Sequence, residues 1–165
     1  MIIIGYDGSE DAQAAADHVI RLFAQKPATV LTVWKLDAET LVTSGPGLGS
    51  GFGVSHSHTA ELDARLLERA HQTAEEGARR LRAAGMDADL LVEESDGSVA
   101  RTVLAVAGRI NAEAVVVGTR GRGAAKSVLL GSVSHELVKH ADRAVVVVPS
   151  AALAHHRERW LPRVP

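Results

Sequence analysis

Four short runs of this chain are almost wholly apolar and β-branched, and the stretches between them carry apolar residues at helical spacing. IIIGY (2–6), TVLTVW (29–34), AVVVG (114–118) and AVVVVP (144–149) show little polar alternation, as strands buried on both faces of a parallel sheet do. DADLLVEE (87–94) is more polar and reads as an edge strand. Ala12, Ala15, Ala16, Val19, Ile20 and Phe23 share one face of a helix that Ser9 can cap and that ends before Pro27. Leu62, Leu66, Ala70, Ala74, Ala78 and Leu81 predict a helix over 59–84, stopped at Gly85, and two further helices are expected over 98–110 and 132–141. The order βαβαβαβαβ predicts an α/β fold, a parallel sheet with helices on both faces and right-handed crossovers. In such sheets a ligand binds beyond the carboxyl ends of the strands, where the strand order reverses.

Length and charge narrow the function classes. At 165 residues one domain is expected, and it can bury a core without staples. A net charge of −2 offers no global attraction for nucleic acid or an acidic membrane surface, so an anion site must be local. With no cysteine there is no disulfide, thiolate nucleophile or Cys-ligated metal. The opening MIIIGYDGSED has no basic leader, and no apolar run approaches the ~18 residues of a membrane span. A soluble cytoplasmic chain is the expectation.

The stretch GTRGRGAAKSVLLGS (118–132) resembles a phosphate-binding loop, yet two common patterns fail in it. Aligned on Lys126-Ser127, the glycines of a Walker loop fall on Arg120 and Ala125. A dinucleotide fingerprint begun at Gly121 and Gly123 meets Lys126 where its third glycine belongs. The pattern that holds is G-x2-G-x9-G-S, at Gly118, Gly121, Gly131 and Ser132, directly after an apolar strand and leading into a helix. Glycines let a backbone take positive φ and approach an anion closely, and the N–H groups opening a helix carry partial positive charge. Ser132 can cap or donate. Arg120, Arg122 and Lys126 can offset part of a triphosphate's charge.

That spacing, together with YDGSEDA after the first strand, TVW ending the second and LLGSVSHELVKHADRAVVVVP near the end, resembles the universal stress protein family over residues 1–149. The resemblance implies one doubly wound domain with a five-stranded parallel sheet of order 3-2-1-4-5, a variable glycine-rich loop at 44–58, and a tail, 150–165, without a transferable role. For an ATP-binding member it implies that Asp7 lies by the nucleoside and that Val33 meets adenine through its backbone. Gly118, Gly121, Gly131, Ser132, Val133 and Ser134 would hold ribose and phosphates, and Gly5, Val117 and Arg122 complete the implied ATP site. Mg2+ on the phosphates, with Asp7 as candidate ligand, and a homodimer through the last strand, 144–149, belong to the same expectation. So does a role as a nucleotide-responsive stress module with at most slow ATP hydrolysis.

Bland alternatives stand beside these roles. Asp7 in D-G-S suits an Asx turn, and Asp7, Glu10 and Asp11 suit a cap and a helix dipole better than an acid/base pair. Val33 at a strand end suits the core. His56 and His58, and His155-His156, are pairs of imidazoles, and two imidazoles fall short of the three or four ligands of a dedicated metal site. No G-x-S-x-G elbow occurs, and the acidic DGSED turn disfavours a flavodoxin-type phosphate site after strand one. A weak ATPase enzyme and a family member that dimerises without nucleotide are the remaining alternatives, and the intact Gly118, Gly121, Gly131 and Ser132 are set against the second.

Overall fold

Strand β1 (Ile2–Gly5), whose three isoleucines are all buried, takes the centre of the sheet. In the computed structural model, which describes residues 1–35, 56–95, 97–121 and 130–151, it is followed by α1 (Glu10–Leu22), β2 (Ala28–Trp34), α2 (His56–Ala83), β3 (Ala88–Glu94), α3 (Val99–Arg109), β4 (Ala114–Gly118), α4 (Ser132–His140) and β5 (Ala144–Val148). Every strand pairing is parallel and the order is β3-β2-β1-β4-β5. The doubly wound sheet of order 3-2-1-4-5 is therefore present. The polar β3 is an edge, as its composition suggests, and the apolar β5, AVVVV, is the other edge.

Alternation along each strand divides the core in two. Ile2, Ile4, Val30 and Val116 face Ala12, Ala15 and Val19 of α1 and Ala78 and Leu81 of α2. Ile3, Leu31, Val115 and Val117 face Val103, Val106 and Ala107 of α3 and Leu137 of α4. Small residues on the helices let them lie close to the sheet: a Cβ on Gly77 would come within 2.9 Å of Val30 and 3.1 Å of the Tyr6 ring.

Local signals set the helix ends. Ser9 Oγ accepts the Ala12 N–H at 3.2 Å and Ser98 Oγ the Arg101 N–H at 3.4 Å, capping α1 and α3. Helix α2 stops at Gly85, which takes φ +83. The Gly85 N–H returns to Arg82 O and the Met86 N–H to Leu81 O, a Schellman closure that also packs Met86 beside Leu81. The helix starts at His56, three residues before the expected 59, so it absorbs the end of the 44–58 loop. The rest of that loop and residues 152–165 of the tail lie outside the described residues.

The register positions the site. Gly5 lies opposite Leu31 on one side and Val117 on the other, while β2 continues through Trp34 alongside β3. Beyond Gly5, the Tyr6 N–H bonds Leu31 O at 2.9 Å and Thr32 Oγ1 donates to Tyr6 O at 2.8 Å. The chain then turns away, leaving the ends of β1 and β4 side by side where the strand order reverses.

Leu81 is fully buried between α2 and the sheet, so Leu81→Ala should cost about 2–5 kcal/mol of unfolding free energy in urea titration. Leu22→Ala, at a residue 64% exposed, should change it by less than about 0.5 kcal/mol.

Candidate nucleotide crevice

The crevice between β1 and β4 is built from two turns and a helix end. In the first turn Gly8 takes φ +76 and the Asp7 carboxylate accepts the Ser9 N–H through Oδ1 at 3.0 Å, an Asx turn that aims the chain into α1. In the second, after β4, Thr119 and Arg120 are held at each backbone group. The Thr119 N–H donates to Val148 O at 2.8 Å, and Thr119 O accepts the Gly131 N–H at 2.8 Å and the Ser134 hydroxyl at 2.7 Å. The Arg120 N–H donates to Asp11 Oδ2 at 3.0 Å, and Arg120 O accepts the Ser9 hydroxyl at 3.4 Å.

The motif glycines are required by close approach. Positive φ among glycines occurs at Gly8, Gly85 and Gly97, and not at Gly118, Gly121 or Gly131, which corrects the expectation of a positive-φ nest. A Cβ on Gly118 would stand 2.6 Å from the Asp11 carbonyl carbon and 2.8 Å from the Ala12 nitrogen, inside the first turn of α1. One on Gly121 would meet Asp7 Oδ2 at 2.7 Å, and one on Gly131 would meet Thr119 O at 3.1 Å. Gly5 is bare for a similar reason, since its Cβ would press Val117 Cγ1 at 2.9 Å.

Helix α4 opens onto the same place. Its N-cap is Gly131, without a side-chain cap, and the first intrahelical bond is His135 N–H to Gly131 O. The N–H groups of Ser132, Val133 and Ser134 thus have no acceptor within the helix and point out of its positive end. Ser132 is exposed, Val133 half-buried and packed on the core, and Ser134 buried. The Ser134 hydroxyl lies against Thr119 O and Gly131 O, so it fastens the helix to the β4 turn, and Ser132 is the first helical residue rather than the cap. Thr119 is 1% exposed, and its hydroxyl has no hydrogen-bond partner among the described residues.

Val33 presents its backbone to the crevice. Leu31 bonds toward β1 through its carbonyl and Trp34 toward β3, to the Ser95 N–H. Alternation therefore turns the peptide groups of Val33 to the β1 side, past the end of that strand. Its side chain is half-buried against the α3/α4 core. Val117 is 5% exposed in the floor of the crevice. The structure thus brings Gly5, Asp7, Val33, Val117, Gly118, Gly121, Gly131, Ser132, Val133 and Ser134 to one end of the sheet. Arg122 and Lys126 lie outside the described residues.

The charged groups here differ most from their sequence reading. Asp11 is 4% exposed and takes both the Arg120 N–H and, at 3.5 Å, its guanidinium. Tyr6, next to Asp7, is buried and donates to Glu76 Oε1 at 2.8 Å. Burial and then the Glu76 carboxylate hold its phenol well above the usual tyrosine range, and its proton is engaged on Glu76. Sequence reasoning missed Asp11 and Thr119 as parts of the site. An acid in the first turn of a helix carries no sign of burial, and the motif pattern leaves Thr119 an unspecified position.

Glycine turns in close approach, a helix N-terminus and a carboxylate thus meet at the reversal of a 3-2-1-4-5 parallel sheet, which makes this a doubly wound α/β protein with its candidate site at the topological switch point. The chain belongs to the universal stress protein family, whose profile (Universal stress protein family) matches residues 1–149. Universal stress protein Rv1996 of Mycobacterium tuberculosis is 30% identical over 158 residues, 90% of this chain and 47% of that protein. The chain thus spans about half the length of that relative. Among solved structures, hypothetical protein MJ0577 superposes with a TM-score of 0.71 at 23% identity, over 90% of this chain and 94% of that one. A universal stress protein in complex with cAMP superposes at 0.60 with 20% identity, over 91% and 97%. Structures of this fold also include an Archaeoglobus fulgidus protein with dAMP and an Arabidopsis thaliana protein with AMP bound.

The contact distances rank the glycines. Gly118→Ala drives a Cβ into helix backbone and should cost about 1–3 kcal/mol, whereas Gly131→Ala, at 3.1 Å from one carbonyl, should cost less; paired urea denaturation curves check the order.

Proposed function

We propose that the crevice binds an adenine nucleotide, ATP with Mg2+ in first place, and that the protein works as a nucleotide-responsive stress module. The observation that carries this reading is the convergence of three bare glycines, Gly118, Gly121 and Gly131, with the open N-terminus of α4 at the sheet's reversal. Phosphate oxygens fit such a cradle because backbone N–H groups can reach them and the three glycines put no side chain in the way. Asp7 suits ribose hydroxyls or the adenine amine as an acceptor, and the outward peptide edge of Val33 suits the adenine ring edge. Gly5 and Val117 shape the floor between them. The adenine nucleotides bound by proteins of this fold support the same ligand class.

The residues favour binding over turnover. Phosphoryl transfer to water needs a placed group that orients or deprotonates the nucleophile. Of the acids described at the crevice, Asp7 accepts the Ser9 N–H and Asp11 the Arg120 N–H, which leaves slow hydrolysis at most. Mg2+ would neutralise phosphate charge, with Asp7 the candidate protein ligand.

Strand β5 supports a further part of this reading, a homodimer. The Val148 carbonyl bonds inward to the Thr119 N–H, so alternation turns the peptide groups of Val145 and Val147 outward on an apolar edge. Pairing with the same strand of a second copy would cover them. Light scattering at micromolar concentration should give a dimer mass for the parent and a monomer mass for Val145→Pro, which removes one outward N–H; a monomeric parent rejects the dimer.

Calorimetric titration with ATP, ADP, AMP and cyclic AMP, with and without Mg2+, tests the ligand. The parent should bind adenine nucleotides, and Gly121→Val should lose most of the affinity because its side chain displaces the Asp7 carboxylate into the cradle. Asp7→Ala should weaken ATP more than free triphosphate. A parent that binds none of the four nucleotides overturns the proposal.

A further inference from the structure

The Asp11–Arg120 contact assigns two residues to tasks that neither the motif nor the site reading gives them. We propose that Asp11 is a positioning residue that latches the β4 turn to α1 through the Arg120 N–H, and that the Arg120 guanidinium serves this latch instead of the nucleotide's phosphates. The proposal rests on the reading of the crevice as a nucleotide site.

Four observations carry it. The Asp11 side chain is 6% exposed and that of Arg120 17%, so the pair is withdrawn from water at the floor of the crevice. A buried carboxylate is tolerated where hydrogen bonds and an opposite charge compensate it, and both come here from one residue: the N–H of Arg120 at 3.0 Å and its Nε at 3.5 Å. The other end of the same residue is also held by α1, since Arg120 O accepts the Ser9 hydroxyl at 3.4 Å. Finally, Gly118 lacks the Cβ that would stand 2.7 Å from Asp11 Cβ, so the approach that makes the latch possible is built into the motif.

The consequence is a pre-set turn. Arg120 is fastened to the cap of α1, and Thr119 to β5 and α4. The next residue, Gly121, is thereby fixed against Asp7 Oδ2. A ligand that meets a turn already held in its binding conformation does not have to order it, and that ordering cost is a main loss in affinity. The guanidinium contributes by neutralising Asp11, whose charge would otherwise repel phosphates at the same spot.

The test uses Asp11→Ala, Asp11→Asn and Arg120→Met in the full chain, well below each variant's melting temperature. Asparagine keeps an oxygen for the Arg120 N–H and alanine does not. Amide hydrogen exchange at Arg120, followed by NMR without ligand, should speed up by about tenfold or more in Asp11→Ala and stay within about threefold of the parent in Asp11→Asn. AMP affinity should follow the same order, with Asp11→Asn restoring most of what Asp11→Ala loses. Arg120→Met keeps the N–H; combined with Asp11→Asn, so that no uncompensated carboxylate is left to repel phosphates, it should hold the ratio of ATP to AMP affinity within about threefold of Asp11→Asn alone, whereas a phosphate-binding arginine would cost ATP about tenfold or more relative to AMP. Unchanged Arg120 exchange in Asp11→Ala overturns the latch, and a selective loss of ATP in the Asp11→Asn/Arg120→Met double variant relative to Asp11→Asn overturns the role given to the guanidinium. A parent that binds no nucleotide overturns the crevice reading, while the exchange comparison still decides the latch.

Discussion

The close approach of the first turn of α1 to the end of β4 is the contact on which the crevice depends. At Gly118 the helix backbone comes so near that no Cβ fits, and this nearness lets Asp11 reach the Arg120 N–H and Ser9 reach its carbonyl. The β1 and β4 turns are thereby joined across a separation of more than a hundred residues. A wider gap would leave the same residues with solvated, independent loops. The core on that face supports the approach with alanines, at positions 12, 15 and 16, all buried under α1. Small side chains there bring the helix axis toward the sheet, at the expense of apolar area that larger residues would bury.

Much of the architecture was legible because its causes are local. Unbroken β-branched runs become strands covered on both sides, Ser9 and Ser98 cap, and Gly85 ends α2 through a positive φ that only glycine takes easily. The polar β3 lies at an edge as its composition suggests. The equally exposed β5 does not advertise its place, because AVVVV reads like a central strand. Strand order itself has no local signal, and it came from resemblance to a family.

The site was legible in outline and not in its wiring. The glycine spacing marked the right turn and helix end, and D-G-S marked the Asx turn that the Asp7–Ser9 bond now shows. What pattern could not convey is the partner of each group. Arg120 reads as a cation available to a phosphate, and Asp11 as a dipole partner at a helix start. Asp11 is buried and Arg120 half-buried, each against the other. Likewise, Ser134 reads as a donor to ligand, while its hydroxyl lies against the Thr119 and Gly131 carbonyls. Contacts between residues distant in sequence decide these roles, and the chain carries no short-range trace of them.

The bare Cα of Gly118 and Gly121 has a consequence for what a glycine motif records. At Gly118 the excluding group is the α1 backbone, which cannot step aside, whereas at Gly121 it is the tip of the Asp7 side chain, which can swing away. A descendant that gave up its ligand would still be held to Gly118 by packing, while Gly121 would be free to change. The first glycine is therefore a memory of the fold's tightest seam, and its presence records that seam whether or not a ligand is held beside it.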